Sequence, residues 1–210
     1  MTKINYQKKM EEILSQLTRA GTARPKLLLH SCCAPCSSSV LQTLTPHFDI
    51  FIHFYNPNIS PAEEYSKRLA EQKRLLEEME FSSQITLLED IYDPQTFFSA
   101  VSGLEQEPEG GLRCTKCFAL RLGRAAQKAA ELDMDYFTTT LTVSPHKNAA
   151  LLNELGLRLG EQYQIPFLCS DFKKKEGYKK SILLSSQYNL YRQDYCGCVF
   201  SKIEAQAGKQ

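Results

Sequence analysis

The apolar positions of the chain follow two spacings, one typical of amphipathic helices and one typical of buried strands. Residues 3–19 carry apolar side chains near helical spacing and lead to Gly21, which predicts an N-terminal helix. Short runs rich in aromatic and aliphatic residues predict strands at 26–31, 49–55, 84–88, 136–140 and 167–170. The intervening and following segments predict helices that end near residues 44, 80, 101, 132, 162 and 188.

Three local signals add detail to these elements. Ser60-Pro-Ala-Glu63 has the form of a capping box with proline at the first helical position, so a long charged helix is expected to begin there. Residues 102–113 are long and rich in structure-breaking residues, which predicts a mobile loop. The final residues, 203–210, are expected to be frayed.

Strands that alternate with helices predict an α/β fold with a doubly wound, mainly parallel sheet flanked by helices. Sheets of this kind bind their ligands outside the carboxyl ends of the strands. We therefore expect one α/β domain over residues 1–210, with a metal site at that edge of the sheet. Cys32 and Cys33 come directly after the first predicted strand and fall at this edge.

Composition narrows the class of protein. The chain has 210 residues, 42% of them hydrophobic, and a net charge of +1, which excludes intrinsic disorder and a disulfide-stapled miniprotein. No apolar run approaches the roughly 20 residues of a membrane span. The N-terminal residues are polar, unlike a signal peptide. These features predict a cytoplasmic protein that does not enter the membrane.

The eight cysteines are the strongest chemical signal. Seven of them fall in three tight groups, and the cytosol keeps thiols reduced, so metal binding or redox chemistry is expected rather than a disulfide framework. The groups are Cys32, Cys33 and Cys36; Cys114 and Cys117; and Cys196 and Cys198. The remaining Cys169 is expected to be a buried core residue.

Two of the groups together suggest a four-cysteine metal centre. Cys32 and Cys33 would point to opposite faces of a strand, but the turn at Ala34-Pro35 could bring both to one centre, with Cys36 opening the next helix. Cys114 and Cys117 lie three residues apart at a predicted helix start, where the helix dipole lowers thiol pKa values. Zinc and iron–sulfur clusters both accept four cysteines, and the adjacent pair favours the larger [4Fe–4S] cluster.

Cys196-Gly-Cys198 suggests a different role. Two sulfurs this close in sequence would form a strained and therefore labile disulfide, which suits a redox function. Metal ligation or simple core packing explains the spacing about as well.

Three further segments could contribute to a site. Residues 171–180 contain five lysines with interleaved aromatic residues, a pattern that could bind RNA or simply be a solvated surface. His30 could donate a hydrogen bond near the cysteines, although a structural role is expected more often. The hydroxyl-rich run at 138–144 could line the same crevice or merely reflect strand propensity.

Six segments in order resemble the QueH family of epoxyqueuosine reductases. They are HSCCAPC, YNPNISPAEEYSKR, EGGLRCTKCFALRL, TTTLTVSPHKN, DFKKKEGYKKS and LYRQDYCGC, and they span about residues 26–201. The resemblance implies an iron–sulfur oxidoreductase that reduces epoxyqueuosine to queuosine at the wobble position of tRNA, without cobalamin. Residues 1–24 lie outside these motifs, so nothing is transferred to the N-terminal helix.

The resemblance also implies roles for individual cysteines. Cys32, Cys33, Cys114 and Cys117 match the [4Fe–4S] ligands, and Cys196 and Cys198 match a redox-active pair. Cys36 falls where a ligand to an additional mononuclear iron would lie. The implied partners are tRNA bearing epoxyqueuosine and an external electron donor.

Two other functions remain open from the residues alone. In the first, a zinc ion holds the cysteines of an RNA-binding or adaptor protein. In the second, Cys114 and Cys117, or Cys196 and Cys198, serve a general thiol–disulfide oxidoreductase.

Overall fold

A single parallel sheet forms the centre of the molecule in the computed structural model, which describes residues 4–21, 23–80 and 82–207. Its strands are β1 (Lys26–His30), β2 (Asp49–Phe54), β3 (Ile85–Glu89) and β4 (Tyr136–Thr139), in the order β3-β2-β1-β4. The predicted α/β fold with a doubly wound sheet is confirmed. Residues 1–3, 22 and 208–210, which belong to the predicted N-terminal helical region and tail, lie outside the described residues.

Helices surround the sheet. They are α1 (Tyr6–Ala20), α2 (Ala34–Leu44), α3 (Ala62–Glu78), α4 (Pro94–Ala100), α5 (Leu112–Glu131), α6 (Ala149–Tyr163), α7 (Gly177–Gln187) and α8 (Val199–Ala207). Short 3-10 turns precede β3 and follow β4. None of the described helices is both long and apolar enough to cross a membrane.

The central strand β1 shows why the sheet is covered on both faces. Its leucines are fully buried, and successive side chains of a strand point to opposite faces. Leu27 and Leu29 pack in one core with residues of α1, α2 and α3, whereas Leu28 packs in a second core against alanines of α5. Three consecutive positions of the strand, Leu27 to Leu29, are apolar, as expected for a parallel strand that is buried on both sides.

The strand order creates a crevice beside β1. The chain runs from β1 outward to β2 and β3 and then crosses back to place β4 on the other side of β1. Connections that leave two neighbouring strands in opposite directions open a gap between them, and this is where such sheets bind ligands. Cys32 and Cys33 follow β1, and Thr140 follows β4, so these residues meet at the crevice.

The fifth strand predicted at 167–170 does not form. Phe167 makes one isolated parallel bridge with Phe137, and the chain then leaves the sheet. The side chain of Asn153 explains the departure, because it accepts from the amide of Ser170 at 2.9 Å and donates to the Ser170 carbonyl at 2.8 Å. Both backbone groups that would continue the ladder are thereby used.

Three predicted element boundaries need correction. Helix α3 begins at Ala62 with Pro61 as its N-cap, and no capping box forms because the Ser60 amide donates to the Gly197 carbonyl at 2.9 Å. Helix α2 begins at Ala34, so Cys36 lies inside its first turn rather than opening it. Residues 203–207, expected to be frayed, continue helix α8.

Candidate active site

The turn between β1 and α2 gathers three thiols. Cys33 is the N-cap of α2 and is still extended, with φ −175° and ψ 160°, so the chain turns where the helix begins at Ala34 and Pro35. The Sγ atoms of Cys32, Cys33 and Cys36 all lie within 4.8 Å of one another. This cysteine trio could hold a metal ion, and it includes Cys36 as well as the predicted pair.

Buried polar groups hold this turn in place. Ser31 and Ser37 both donate to the side-chain oxygen of Gln72 on α3, at 2.9 and 3.0 Å. His30 is fully buried and contacts Thr139 and the Tyr55 carbonyl through its two ring nitrogens. His30 is thus a structural residue that joins β1 to its neighbours.

The thiols of the trio differ in their pKa values. Hydrogen bonds with the Cys33 and Cys36 thiols lower the pKa of Cys32 well below its ordinary value, although burial opposes the change. The same hydrogen bond with Cys32 raises the pKa of Cys33 to about 12. A thiolate at Cys32 stabilised by two neighbouring thiols is suited to metal binding, in which the remaining protons are released.

A second group of cysteines lies beside the trio. Cys114, Cys117, Cys196 and Cys198 line one small cavity, and Cys117 and Cys198 share an apolar cluster with Phe97. Cys114 also packs against the apolar cluster that contains Cys32 and Cys33. The predicted ligand segments are therefore neighbours, while Cys36, rather than Cys114 or Cys117, completes the tight trio.

The helix start at Cys114 does not act on the thiols as predicted. Burial raises the pKa of Cys114, even though the Gly110 amide donates to its Sγ atom at 3.2 Å. Burial also raises the pKa of Cys117 to about 12. Burial is the largest influence on both thiols, and the prediction of a lowered pKa is wrong for both.

The Cys196-Gly197-Cys198 segment is fastened to α3. Arg68 donates to the Cys196 carbonyl at 3.1 Å, and the Ser60 amide donates to the Gly197 carbonyl. Gly197 has φ +122°, and a Cβ atom there would lie 2.9 Å from Arg68 Nη1 and 3.1 Å from Ile59 Cγ1. Only glycine fits this position without displacing the segment.

Three buried arginines that sequence reasoning missed surround the cysteines. Arg68, Arg113 and Arg121 are each at most 2% exposed. Arg68 pairs with Glu64 at 2.6 Å, and Arg113 pairs with Glu204 of α8 at 2.7 Å. All three lie in the segments that carry the family resemblance. In addition, Arg121 follows Cys117 by four residues and so shares a face of α5 with it. These two signals could have identified the arginines from the sequence.

Arg113 also organises the loop before α5. It donates to the backbone carbonyls of Glu105 and Glu107, while Glu204 accepts from the Glu109 amide at 3.1 Å. The segment expected to be a mobile loop is therefore tied to α5 and to α8. Its mobility stays a prediction.

The donor set of this region fits an anionic metal–sulfur centre. Nη2 of Arg68 and both Nε and Nη1 of Arg121 are buried without a hydrogen-bond partner among the described residues. Buried cations need compensating charge, and metal-bound cysteines would supply it as thiolates. Four or more sulfur ligands beside such cations are suited to zinc or an iron–sulfur cluster.

A cleft of about 360 Å³ opens onto the trio. Cysteines of both groups line this cleft, namely the trio and Cys196. Cys196 also lines the smaller cavity and therefore connects the two spaces. Cationic and aromatic side chains form much of the rest, namely Arg68, His146, Lys147, Tyr178, Arg192 and Tyr195. Burial alone would lower the pKa of Lys147, but negative charge on the sulfurs of Cys196 and Cys32 raises it above its ordinary value.

The remaining candidates divide between surface and core. In the lysine segment, Lys174 and Lys180 form no ion pair among the described residues, whereas Lys173, Lys175 and Lys179 contact carboxylates. Thr140, from the hydroxyl-rich run, lies with its Oγ1 atom 3.7 Å from Cys32 Sγ. Cys169 lies in the core cluster of Leu28, as predicted.

Comparison with known proteins confirms the family resemblance. The family model for epoxyqueuosine reductase QueH matches residues 27–204. The epoxyqueuosine reductase QueH of Staphylococcus epidermidis is 47% identical over 206 residues, covering 96% of this chain and 86% of that protein. The Thermotoga maritima QueH is 35% identical over 179 residues, 85% of this chain and 91% of that protein. Because the match includes every cysteine of the site and nearly the whole fold, the chain belongs to the QueH family of epoxyqueuosine reductases.

Proposed function

We propose that this protein reduces epoxyqueuosine to queuosine at the wobble position of tRNA. The observation that carries the proposal is the cleft at the sheet edge, where cysteines from both groups face one space bordered by cationic and aromatic side chains. Membership of a family of oxidoreductases named for this reaction supports the same reading.

We propose that the cofactor is a [4Fe–4S] cluster held by Cys32, Cys33, Cys114 and Cys117, with Cys36 as a ligand to an additional iron. The closeness of the trio, and the contact of Cys114 with its apolar surroundings, support this ligand set. When bound, the cluster would supply one-electron transfer and an iron site that can polarise an oxygen atom.

The chain's own residues supply the rest of the reaction. Removing the epoxide oxygen as water and forming the carbon–carbon double bond consumes two electrons and two protons. Oxidation of the Cys196 and Cys198 thiols to a disulfide releases the same number of each, so the pair can balance one turnover. An external electron donor must then reduce the disulfide.

The substrate reaches the site as part of an RNA loop. Bases in a single-stranded loop can be turned outward, stacked on aromatic side chains and read by polar groups. Tyr178, Lys147 and Arg192 border the cleft. Tyr178 belongs to the lysine segment, whose Lys174 and Lys180 line a neighbouring hollow beside α1, and these charges support phosphate binding next to the cleft. A cytoplasmic location and a single domain over residues 1–210 stay predictions.

The test uses tRNA that carries epoxyqueuosine. The protein is purified without oxygen, its iron and acid-labile sulfide are measured, and it is incubated with the tRNA and dithionite. Mass spectrometry of the nucleosides should show epoxyqueuosine replaced one for one by a product lighter by one oxygen atom. A sample without reductant is the control.

Two results would contradict the proposal. Protein loaded with iron and sulfide that leaves the nucleoside unchanged would refute the reaction. Colourless protein that holds zinc and still folds fully would refute the cofactor and favour the zinc-stabilised RNA-binding function.

A further inference from the structure

Arg121 lies on α5, one helical turn after Cys117. It is 1% exposed, and its Nη2 atom donates to the side-chain oxygen of Asn56 at 2.6 Å. Asn56 is itself fixed, because its amide group donates to the Ser31 carbonyl at 2.9 Å, directly before the cysteine trio. The guanidinium group is thus held in one orientation by a neutral partner.

Among the described residues, the charge of Arg121 has no carboxylate partner of the kind that the neighbouring arginines have. Arg68, Arg113 and Arg124 pair with Glu64, Glu204 and Asp90. Thiols from all three cysteine segments, Cys117, Cys32 and Cys196, interact electrostatically with Arg121. Lys147 and His30 also lie within electrostatic reach, and neither of them supplies a negative charge. Two of its nitrogen atoms have no hydrogen-bond partner among the described residues.

Burial makes this arrangement costly unless the sulfurs are anionic. An arginine stays protonated in proteins, and an unpaired buried charge strongly destabilises the fold. The anion that offsets the cost must therefore come from the cysteine sulfurs themselves. A fixed positive charge next to a redox centre also stabilises the reduced form, because reduction adds a negative charge.

We propose that Arg121 is the buried counter-charge of the iron–sulfur centre, a positioning residue that holds the cysteine segments together and raises the reduction potential of the centre. The role of the centre itself rests on the proposed function. Asn56 orients the guanidinium group toward the sulfurs.

The experiment compares Arg121→Gln and Arg121→Lys with the wild-type protein. Each protein is purified without oxygen and analysed for iron and sulfide, and its midpoint potential is measured by titration with dithionite and redox mediators. Arg124→Gln is the matched control, because Arg124 lies on the same helix but pairs with Asp90. Asn56→Asp is a second variant, which neutralises Arg121 without removing its side chain.

The expected results separate charge from folding. Arg121→Gln should lose part of its iron, and the remaining centre should have a more negative potential. Arg121→Lys should recover most of the potential, Asn56→Asp should lower it, and Arg124→Gln should match the wild type. An iron-loaded Arg121→Gln variant with the wild-type potential would overturn this inference alone. A wild-type protein without iron would overturn both the inference and the proposed cofactor. If the variants show the expected differences in midpoint potential but the wild-type protein does not convert the tRNA, only the proposed reaction is overturned.

Discussion

The cysteine trio and the pair Cys196 and Cys198 are built in different ways. Cys32, Cys33 and Cys36 sit where a central strand passes directly into a helix, and hydrogen bonds from the neighbouring α3 hold the turn. Cys196 and Cys198 lie in a segment without regular secondary structure, held by Arg68 and by the Ser60 amide. The trio is part of the sheet framework. The pair lies outside the sheet, where polar contacts hold Cys196 and Gly197, and Cys198 packs against Phe97.

This difference suggests a division of labour. Ligands of a metal centre benefit from a rigid framework, because their geometry must be kept as the charge of the centre changes. A redox pair must instead form and break a bond with each turnover, which requires a segment that can move. A few polar contacts can be broken and remade more easily than the packing of a central strand.

The largest effect is expected from Cys114→Ser, which removes a proposed cluster ligand. This variant should lose its iron–sulfur centre and all measurable conversion of epoxyqueuosine, as read by iron analysis and nucleoside mass spectrometry. Cys169→Ala is the control, because Cys169 is a cysteine buried in the core, outside the three cysteine groups. Full iron and full turnover in the serine variant would remove Cys114 from the metal framework.

A smaller effect is expected when the redox segment is displaced without touching a sulfur. In Gly197→Ala the new methyl group meets Arg68 and Ile59 and the backbone is strained, which costs about 1–3 kcal/mol. The rate of tRNA conversion should fall by roughly 10-fold or more while the iron content stays unchanged.

Gly103→Ala is its matched control. Gly103 has a similar positive φ of +78°, but no atom lies within 4 Å of the position its Cβ would take. If the rate of tRNA conversion falls by the same factor in both alanine variants, the close approach of Gly197 to Arg68 has no role in placing the redox pair.

The scaffold can be tested through Asp90, which does not line the cleft. Burial alone would raise its pKa, but hydrogen bonds from Arg124 and His53 lower the pKa to about 2. Since the folded pKa lies below the unfolded value of about 3.9, this carboxylate stabilises the fold above that value and ceases to do so as the pH falls toward 2. Asp90→Asn should cost about 2 kcal/mol in urea unfolding at pH 7.

Asp90→Asn should lower the free energy of unfolding only at pH values at which the wild-type Asp90 carboxylate is charged. The difference in stability from the wild type should shrink as the pH falls from about 4 toward about 2. A constant difference over this range would mean that packing, not the ion pair, accounts for the loss.

The smallest effect is expected on the RNA-binding side of the comparison. Lys180→Ala removes a surface charge that forms no ion pair in the described part of the chain. It should weaken tRNA binding a few-fold, leave the maximal rate unchanged and reduce the salt dependence by about one ion. Lys128→Ala, on α5 beside Glu131, is the control. Equal binding losses in the two variants would argue against a specific role for the lysine segment.

Much of the framework could be predicted from the sequence because it depends on local pattern. The four strands and most helices follow from apolar spacing, and the turn after β1 follows from its position before Pro35. The strand expected at 167–170 has the right composition, but its fate depends on Asn153, a residue of another element. The capping box fails for a similar reason, since Gly197 takes the Ser60 amide.

The part of the site that consists of cysteines could be predicted from the sequence. Their grouping indicated a metal or redox centre, and the family resemblance indicated which reaction. The buried arginines were not predicted, because a charged residue on an amphipathic helix normally faces water. The thiol pKa values at the start of α5 could not be inferred either, since the sequence shows the helix dipole but not the depth of burial.

The attachment of α8 has a practical consequence for handling the protein. Glu204 joins this last helix to Arg113 and to the Glu109 amide, only a short distance along the chain from Cys114. Purification tags, fusion partners and surface tethers are therefore better joined ahead of α1, because a bulky addition just beyond Ala207 would pull on the wall of the cysteine cavity.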